Sequence, residues 1–517
     1  MSQKLETPPA SFEPRDDLGS IGGLLARTAT ALPDQPALAF ENHRITYGEL
    51  HDRSQRVAAG LAADGLAAGD RVALLLPNTP DFVTSFFAVT GLGAIAVPLS
   101  PLLKEAELEF HFRECRVGCV IAEPRRQAVV RRIVSRLDWP VQLVSAGGAE
   151  RQGRRLEDLV RQPAQDLPEP AADAHAMFQY SAGSTGRPKR VPRTHAELCT
   201  EAEGLASTAG FTPDDTILAA VPLFHTYGLG CCLAAAARSG ATLRLLHERQ
   251  PFALSRRRAL ELLGRGEATV FPAVPFMLRL LAEAPGSDEL ARLRLCFSAA
   301  AALPPSTFES FLDRFGIAIR QLYGCTETGT IAANLADDPV ATARSVGRPL
   351  EHVDVRIVDS EGAPLDTGRI GEIAVRSGSM MRGYAGDDDL NSAVFSDGYF
   401  RTGDRGRVDE AGNIFITGRT KLLIDVSGDK VDPIEVEDVL ATHPKVREVV
   451  VVGVATERQG EEVVKAVAVS DGTCTDTELI RFCRERLANY KVPQQVEFRD
   501  EIPKSADGTV LRKYLVD

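Results

Sequence analysis

Ten consecutive residues carry the densest signal for chemistry: Tyr180-Ser181-Ala182-Gly183-Ser184-Thr185-Gly186-Arg187-Pro188-Lys189. Glycines let the backbone bend with positive φ and bring its N–H groups close to an anion. Ser181, Ser184 and Thr185 add hydroxyl donors, and Lys189 adds a positive charge. A phosphate is the natural guest. The spacing differs from the common nucleotide loop, which has four residues between its glycines and then Gly-Lys-Ser/Thr; here only Ser184 and Thr185 separate Gly183 from Gly186. Read alone, such a stretch also fits a polar surface turn.

The elements around the loop give it a context. Ala176–Gln179 reads as a strand feeding into it. Pro36–Phe40 and Arg44–Tyr47, joined by a polar turn, read as a hairpin, with a helix following through Leu61. Strand and helix then alternate: strands at Arg71–Leu76, Ala94–Leu99 and Val117–Ile121, and a helix at Asp81–Leu92. That alternation predicts parallel sheets covered by helices. Beyond the loop come strands at Thr216–Ala220, Thr242–Leu246, Thr269–Pro272, Leu293–Ser298 and Ile317–Leu322. Several run into polar or aromatic residues: His225 and Tyr227, then Ala299, Ala300 and Ala301, then Tyr323-Gly324-Cys325-Thr326-Glu327. In open α/β sheets, ligands bind outside the carboxyl ends of the strands.

From about Val353 the pattern changes to short strands with glycine turns, as in an antiparallel sheet or small barrel. The segments Ala146–Gly153 and Gln162–Ala172, rich in Gly, Pro and Ala, read as linkers. The final part reads as a compact α+β unit. Asp432-Pro433 starts a helix, Val446–Val454 and Val463–Val469 are strands, and Thr475-Asp476-Thr477-Glu478 opens a helix to Leu487.

At 517 residues the chain is expected to hold two or more domains, and 44% hydrophobic with 25% charged residues is ordinary for a globular protein. A net charge of −12 without a basic run argues against nucleic acid. The arginines Arg125, Arg126, Arg131 and Arg132 read as a solvated helix face. Nine scattered cysteines, none at metal-ligand spacing, read as buried thiols of a reduced protein. The polar N-terminus and the lack of a membrane-length apolar run make the cytoplasm the expected location, with no membrane partner.

Five motifs occur in order: the Ser181–Lys189 loop, Tyr323–Glu327, Thr402-Gly403-Asp404, Gly418-Arg419, and the C-terminal Pro503-Lys504 stretch. Together they resemble the adenylate-forming superfamily, in particular its acyl- and aryl-CoA ligases. The resemblance runs from about Leu24 to Lys513. It implies a large N-terminal domain of parallel α/β sheets with a small β-barrel-like subdomain, residues 1–418. It further implies a hinge at 419–421 and a small mobile α+β domain at 422–517. The chemistry implied is attack of a carboxylate on the α-phosphate of ATP, giving acyl-AMP and pyrophosphate, then displacement of AMP by a thiol. ATP, Mg²⁺ and coenzyme A are the expected cofactors, and the small domain is expected to rotate between steps.

Residue roles follow by the same resemblance. Ser181, Ser184, Thr185 and Lys189 would cradle the β- and γ-phosphates. Tyr323 would stack on adenine, with Gly324, Ala300 and Ala301 beside the nucleotide. Thr326 would contact the α-phosphate, and Glu327 would hold Mg²⁺, a hard ion that prefers carboxylate oxygen. Asp404 would accept both ribose hydroxyls, Arg419 would reach ribose or phosphate, and Lys421 holds the hinge position. His225 would close the carboxylate pocket and adjust between half-reactions. Ser427, Gly428 and Lys430 match the pantetheine tunnel of coenzyme A. The acid pocket would be lined by His225, Tyr227, Phe276, Ser298, Ala299, Ala300, Gln321, Leu322 and Gly329.

Two positions depart from the family pattern. Arg190 follows the loop lysine where glycine is usual. Thr509 stands where the adenylation lysine belongs, and a threonine hydroxyl cannot replace a cation at a site of developing charge. Leu322, where many long-chain and cinnamate-type ligases have glycine, would shorten the pocket, and small alanines at 299–301 would leave room for a flat ring. The expected substrate is a small aromatic acid of benzoate or anthranilate size, with short or medium aliphatic acids next. The alternative is a transferase-like member that loads an acyl carrier protein, which Thr509 favours. A non-catalytic relative is the third reading, and the intact Glu327, Asp404 and Arg419 argue against it.

Overall fold

A computed structural model describes residues 14–147, 153–165, 167–181, 188–246, 252–286, 289–419, 423–456, 461–470, 472–503, 510 and 512–516. The apolar runs of the first half become two sheets with helices packed on them. In the first sheet, Arg71–Leu75 and Ile95–Pro98 pair in parallel at the centre, flanked by Cys119–Ala122 and Gln142–Ser145 on one side and His175–Ser181 on the other. In the second, Thr216–Ala219, Thr242–Leu245, Val270–Ala273, Leu295–Ser298 and Ile319–Cys325 form the parallel body. Central strands are buried almost throughout, as in Arg71–Leu75 and Leu295–Ser298, which explains their unbroken apolar sequence.

Helix starts follow local side-chain chemistry. Thr46 and Glu49 form a reciprocal capping box at the helix Tyr47–Ala63, and Thr194 and Glu197 form another at His195–Thr208. Asp432 caps Pro433–Ala441 by accepting from the Ile434 N–H at 2.8 Å. The helix Pro124–Val134 carries the arginine cluster, and Arg132 pairs with Glu105 at 2.7 Å on the surface.

Val353–Val358, Gly371–Ser377, Phe395–Ser396, Tyr399–Val408 and Ile414–Arg419 make an antiparallel five-stranded sheet, matching the expected change of pattern after Val353. From Ile424 on, a hairpin of Ile424–Val426 and Asp429–Val431 precedes a three-stranded sheet. The helices Pro433–Ala441 and Asp476–Arg486 pack with it around Val436, Leu440, Val451, Ala466 and Leu479.

Two strands depart from the sequence reading. Lys189–Thr194 pairs antiparallel with His175–Ser181 at the sheet edge. Three basic residues and Pro192 hide it, and an edge is where a strand tolerates proline. Gly329–Ala333 pairs antiparallel with the end of Ile319–Cys325, so Tyr323, Gly324 and Cys325 lie within a strand rather than beyond it. No helix among the described residues is long and apolar enough to cross a membrane, and all nine cysteines are free thiols.

Candidate active site

The parallel strand Ile319–Cys325 delivers Tyr323 and Gly324, and the turn Thr326–Thr328 follows before the chain doubles back. Glycine is required on both sides of this hairpin. A Cβ at Gly324 would sit 2.4 Å from the Gly329 carbonyl oxygen. Gly329 itself has φ +71°, and a Cβ there would meet the Glu201 carboxyl at 2.4 Å.

Tyr323 reaches across to the antiparallel sheet. Its hydroxyl donates to Asp404 Oδ2 at 2.8 Å. Burial first, and then the Asp404 carboxylate, push the phenol well above its ordinary value, so it stays a proton donor. Asp404 is 2% exposed, and Arg419 lies opposite it in the register of the strand pair Tyr399–Val408 and Ile414–Arg419.

Glu327 is 8% exposed and its Oε1 accepts from the Tyr384 hydroxyl at 2.7 Å. The Lys189 Nζ lies 5.3 Å from the centre of the same ring, a cation–π distance. Sequence reasoning missed Tyr384. It is pinned twice by Asn391, whose side chain accepts from the Tyr384 N–H at 2.7 Å and donates to its carbonyl at 2.9 Å. Only the aromatic beside Gly383 could have pointed to it. Ser181 is half-buried at the end of its strand. Ser184, Thr185, Lys421 and Thr509 lie outside the described residues.

His225 is exposed at one edge yet closely crowded by protein, which pushes its imidazole down to about 4, and the Lys430 charge adds to this. The ring is therefore neutral at pH 7. Gln179, another residue the sequence reading passed over, accepts from Thr226 Oγ1 at 2.7 Å and so ties the His225 turn to the strand leading into the phosphate-type loop. The Tyr227 hydroxyl donates to the Ala273 carbonyl at 3.3 Å. Ser298 and Ala299 are buried, and Ala300 holds φ +69°, a left-handed conformation rare for alanine. Ala301 follows it in the same bend. Leu322 is buried, and Phe276 packs beneath the Arg279 guanidinium at 5.5 Å. The Gln321 amide donates to the Ala343 carbonyl at 2.6 Å, so its nitrogen anchors a neighbouring segment.

The C-terminal hairpin closes this cleft. Gly428 has φ +97°, and a Cβ there would lie 3.2 Å from Val274. Its N–H donates to Asp425 Oδ1 at 2.7 Å, Lys430 pairs with Asp425, and Ser427 holds φ +55°. The docking is fixed by Lys491, 7% exposed, whose Nζ lies 2.9 Å from Glu107 and 2.7 Å from Glu435. Burial opposes the Lys491 charge, but Tyr490, Glu435 and Glu107 outweigh it and raise its pKa.

The AMP-binding enzyme family pattern matches residues 25–385, and that of the AMP-binding enzyme C-terminal domain matches residues 435–509. This chain belongs to that family of adenylate-forming enzymes. An oxalate–CoA ligase of Arabidopsis thaliana is 32% identical over 96% of this chain and 98% of its own length. A feruloyl-CoA synthase of Amycolatopsis sp is 33% identical over 95% of this chain and 97% of its own. Among solved structures, the amide bond synthetase from Marinactinospora thermotolerans superposes with a TM-score of 0.86 at 29% identity, covering 96% of this chain and 99% of that one. The adenylate-forming enzyme is thus an acid–thiol ligase by class, and ligases of this family use ATP, Mg²⁺ and coenzyme A.

The donor set fits that requirement. No group of three or more His, Cys, Asp or Glu among the described residues could hold a metal alone. Mg²⁺ usually takes one or two carboxylates and completes its shell with waters and substrate phosphates. Glu327, held by Tyr384 through one oxygen, is suited to be that carboxylate.

Proposed function

We propose that this ligase activates a small aromatic acid, of benzoate or anthranilate size, with ATP and passes the acyl group to coenzyme A. One observation carries the activation by ATP. Motif segments far apart in sequence meet through two side chains: Tyr323 joins Asp404, and Tyr384 joins Glu327 to Lys189. That convergence supports a nucleotide lying across the ends of the sheet, with adenine beside Tyr323, Gly324, Ala300 and Ala301. Ribose would lie at Asp404 and Arg419, and the phosphates at Thr326 and the Ser181–Lys189 loop. Mg²⁺ would sit at Glu327, where it offsets phosphate charge. In this arrangement the acid carboxylate attacks the α-phosphate and pyrophosphate leaves. A thiolate then attacks the acyl carbonyl and AMP leaves.

The neutral His225 imidazole faces the carboxylate end of the cleft without a charge to bind the acid too tightly. Gly428 sits against Val274, with Lys430 beside His225, which supports entry of the pantetheine thiol at that edge. The small domain, 422–517, would turn about 419–421 to vacate this position for adenylation. A short pocket agrees with Leu322 and with a relative named for oxalate. Thr509 favours a second reading, transfer to a carrier protein with adenylation slowed. Mass analysis of products from benzoates, anthranilate and short fatty acids, with coenzyme A or a carrier protein as acceptor, separates the two. Aryl-CoA is the expected product; acyl carrier protein without acyl-CoA would favour the second.

A further inference from the structure

Among the described residues, Arg193 is the largest side chain with no exposed surface. It leaves the edge strand Lys189–Thr194, four residues after the loop lysine, and points into the protein beneath the Thr326–Thr328 turn. Its Nη2 lies 3.0 Å from Glu201 Oε2, and its Nη1 donates to the Thr326 carbonyl at 3.4 Å. Glu197 Oε2 is 3.8 Å from its Nε. Glu201, 2% exposed on the helix His195–Thr208, uses its other oxygen to accept from the Thr330 N–H at 3.1 Å. The carboxylate fills the space beside two glycines: a Cβ at Gly230 would come within 2.4 Å of it, as would one at Gly329.

Burying two such charges is costly. Removing an ion from water carries a penalty of several kcal/mol, and apolar replacements of similar volume are often neutral or stabilising. Fold stability therefore does not explain the pair. Its contacts do, because they fall on both ends of one turn. Between those ends the Glu327 carbonyl accepts from the Met381 N–H at 2.8 Å and the Thr328 carbonyl from Ser379 Oγ at 2.8 Å. These contacts hold the backbone of the turn between its two ends.

We infer that Arg193 and Glu201 are positioning residues, a buried charge pair that fixes the Thr326–Thr330 backbone so that Thr326 and Glu327 meet the nucleotide and its metal in one geometry. This rests on the proposed roles of Thr326 and Glu327. A displacement of about 1 Å at such a site can cost a factor of about a hundred.

The test is an apolar replacement of both charges, Arg193→Met with Glu201→Met, measured in the full chain. The melting temperature is expected to stay within a few degrees of the parent. MgATP binding by calorimetry should weaken about tenfold, equivalent to about 1.4 kcal/mol, with coenzyme A binding unchanged. Hydrogen exchange of the peptide spanning 326–330 should accelerate while the parallel sheets keep their protection. Parental MgATP affinity with unchanged exchange in a stable double variant would overturn the inference. Should the double variant not fold, Arg193→Lys keeps the charge facing Glu201 but gives up the fork that also reaches Thr326. It is expected to bind MgATP several-fold more weakly, and parental affinity there would also overturn it. A parent chain that fails to bind MgATP would contradict the site assignment instead, and the exchange experiment would still decide the role of the pair.

Discussion

At Leu322, 5% exposed near the end of its strand, a side chain occupies space that a smaller residue would leave open. Leu322→Ala is expected to raise kcat/KM for acids longer than benzoate, such as cinnamate, relative to benzoate. Discrimination of about 1–3 kcal/mol per methylene-sized change sets the scale. Competition between the two acids measures it, and an unchanged ratio would remove Leu322 from the pocket. Tyr384 makes a second residue-level prediction. Tyr384→Phe keeps the ring under Lys189 but loses the hydrogen bond to the Glu327 carboxylate. Bonds to charged groups contribute about 1.5–3 kcal/mol, so the Mg²⁺ concentration that half-saturates ATP binding should rise about tenfold. A Mg²⁺ titration of nucleotide binding reads this directly. The motif residues were legible because five motifs fall in one order along the chain, and their roles are those the resemblance implies. Tyr384 was not, because its role depends on a contact with Glu327, 57 positions away.

The elements show the same division. Strands buried on both faces, such as Arg71–Leu75 and Leu295–Ser298, are continuous apolar runs and could be read directly. The edge strand Lys189–Thr194 is basic and contains a proline, and only pairing with His175–Ser181 makes it a strand. The hairpin after Glu327 was missed because its partner strand, Gly329–Ala333, begins with the glycine its turn demands. At the Ile424–Val431 hairpin, Gly428 combines φ +97° with a contact to Val274. Gly428→Val would strain the turn and push the hairpin away from the cleft. Acyl-AMP formation should persist while acyl-CoA formation falls at least about tenfold. Equal losses in both half-reactions would show that the turn serves both.

On the scale of the whole molecule, a buried lysine helps tie the C-terminal unit to the rest, beside the ion pair of Arg279 with Glu461. Lys491 joins Glu435 of its own unit to Glu107 of the helix Glu105–Glu114. Removing one partner of a buried pair costs about 3–5 kcal/mol, so Lys491→Ala should loosen the docking. A larger radius of gyration in solution scattering would register it. Acid should also destabilise the chain. His111, His195 and His352 are buried, and burial pushes their pKa values down to about 3, 4 and 4. Lys491 lowers His111 further and Arg193 does so for His352, whereas Glu169 partly offsets the shift at His195. Below about pH 6.5 the unfolded chain takes up protons on these rings that the folded chain excludes. Stability contributed by the neutral rings is present above that pH and falls as the pH drops toward about 4, by up to roughly 1.4 kcal/mol per pH unit for each ring. Urea unfolding at pH 7, 6 and 5 measures the slope, and a flat profile would contradict it.

Acid activation in a chain with threonine at position 509 is the central step. Pyrophosphate release from ATP, measured with benzoates, anthranilate and short fatty acids, with and without coenzyme A, tests it most directly. Release that depends on a small aromatic acid, slow in the parent and faster in Thr509→Lys, is the predicted result. Absence of acid-dependent release in both proteins across the panel would contradict it.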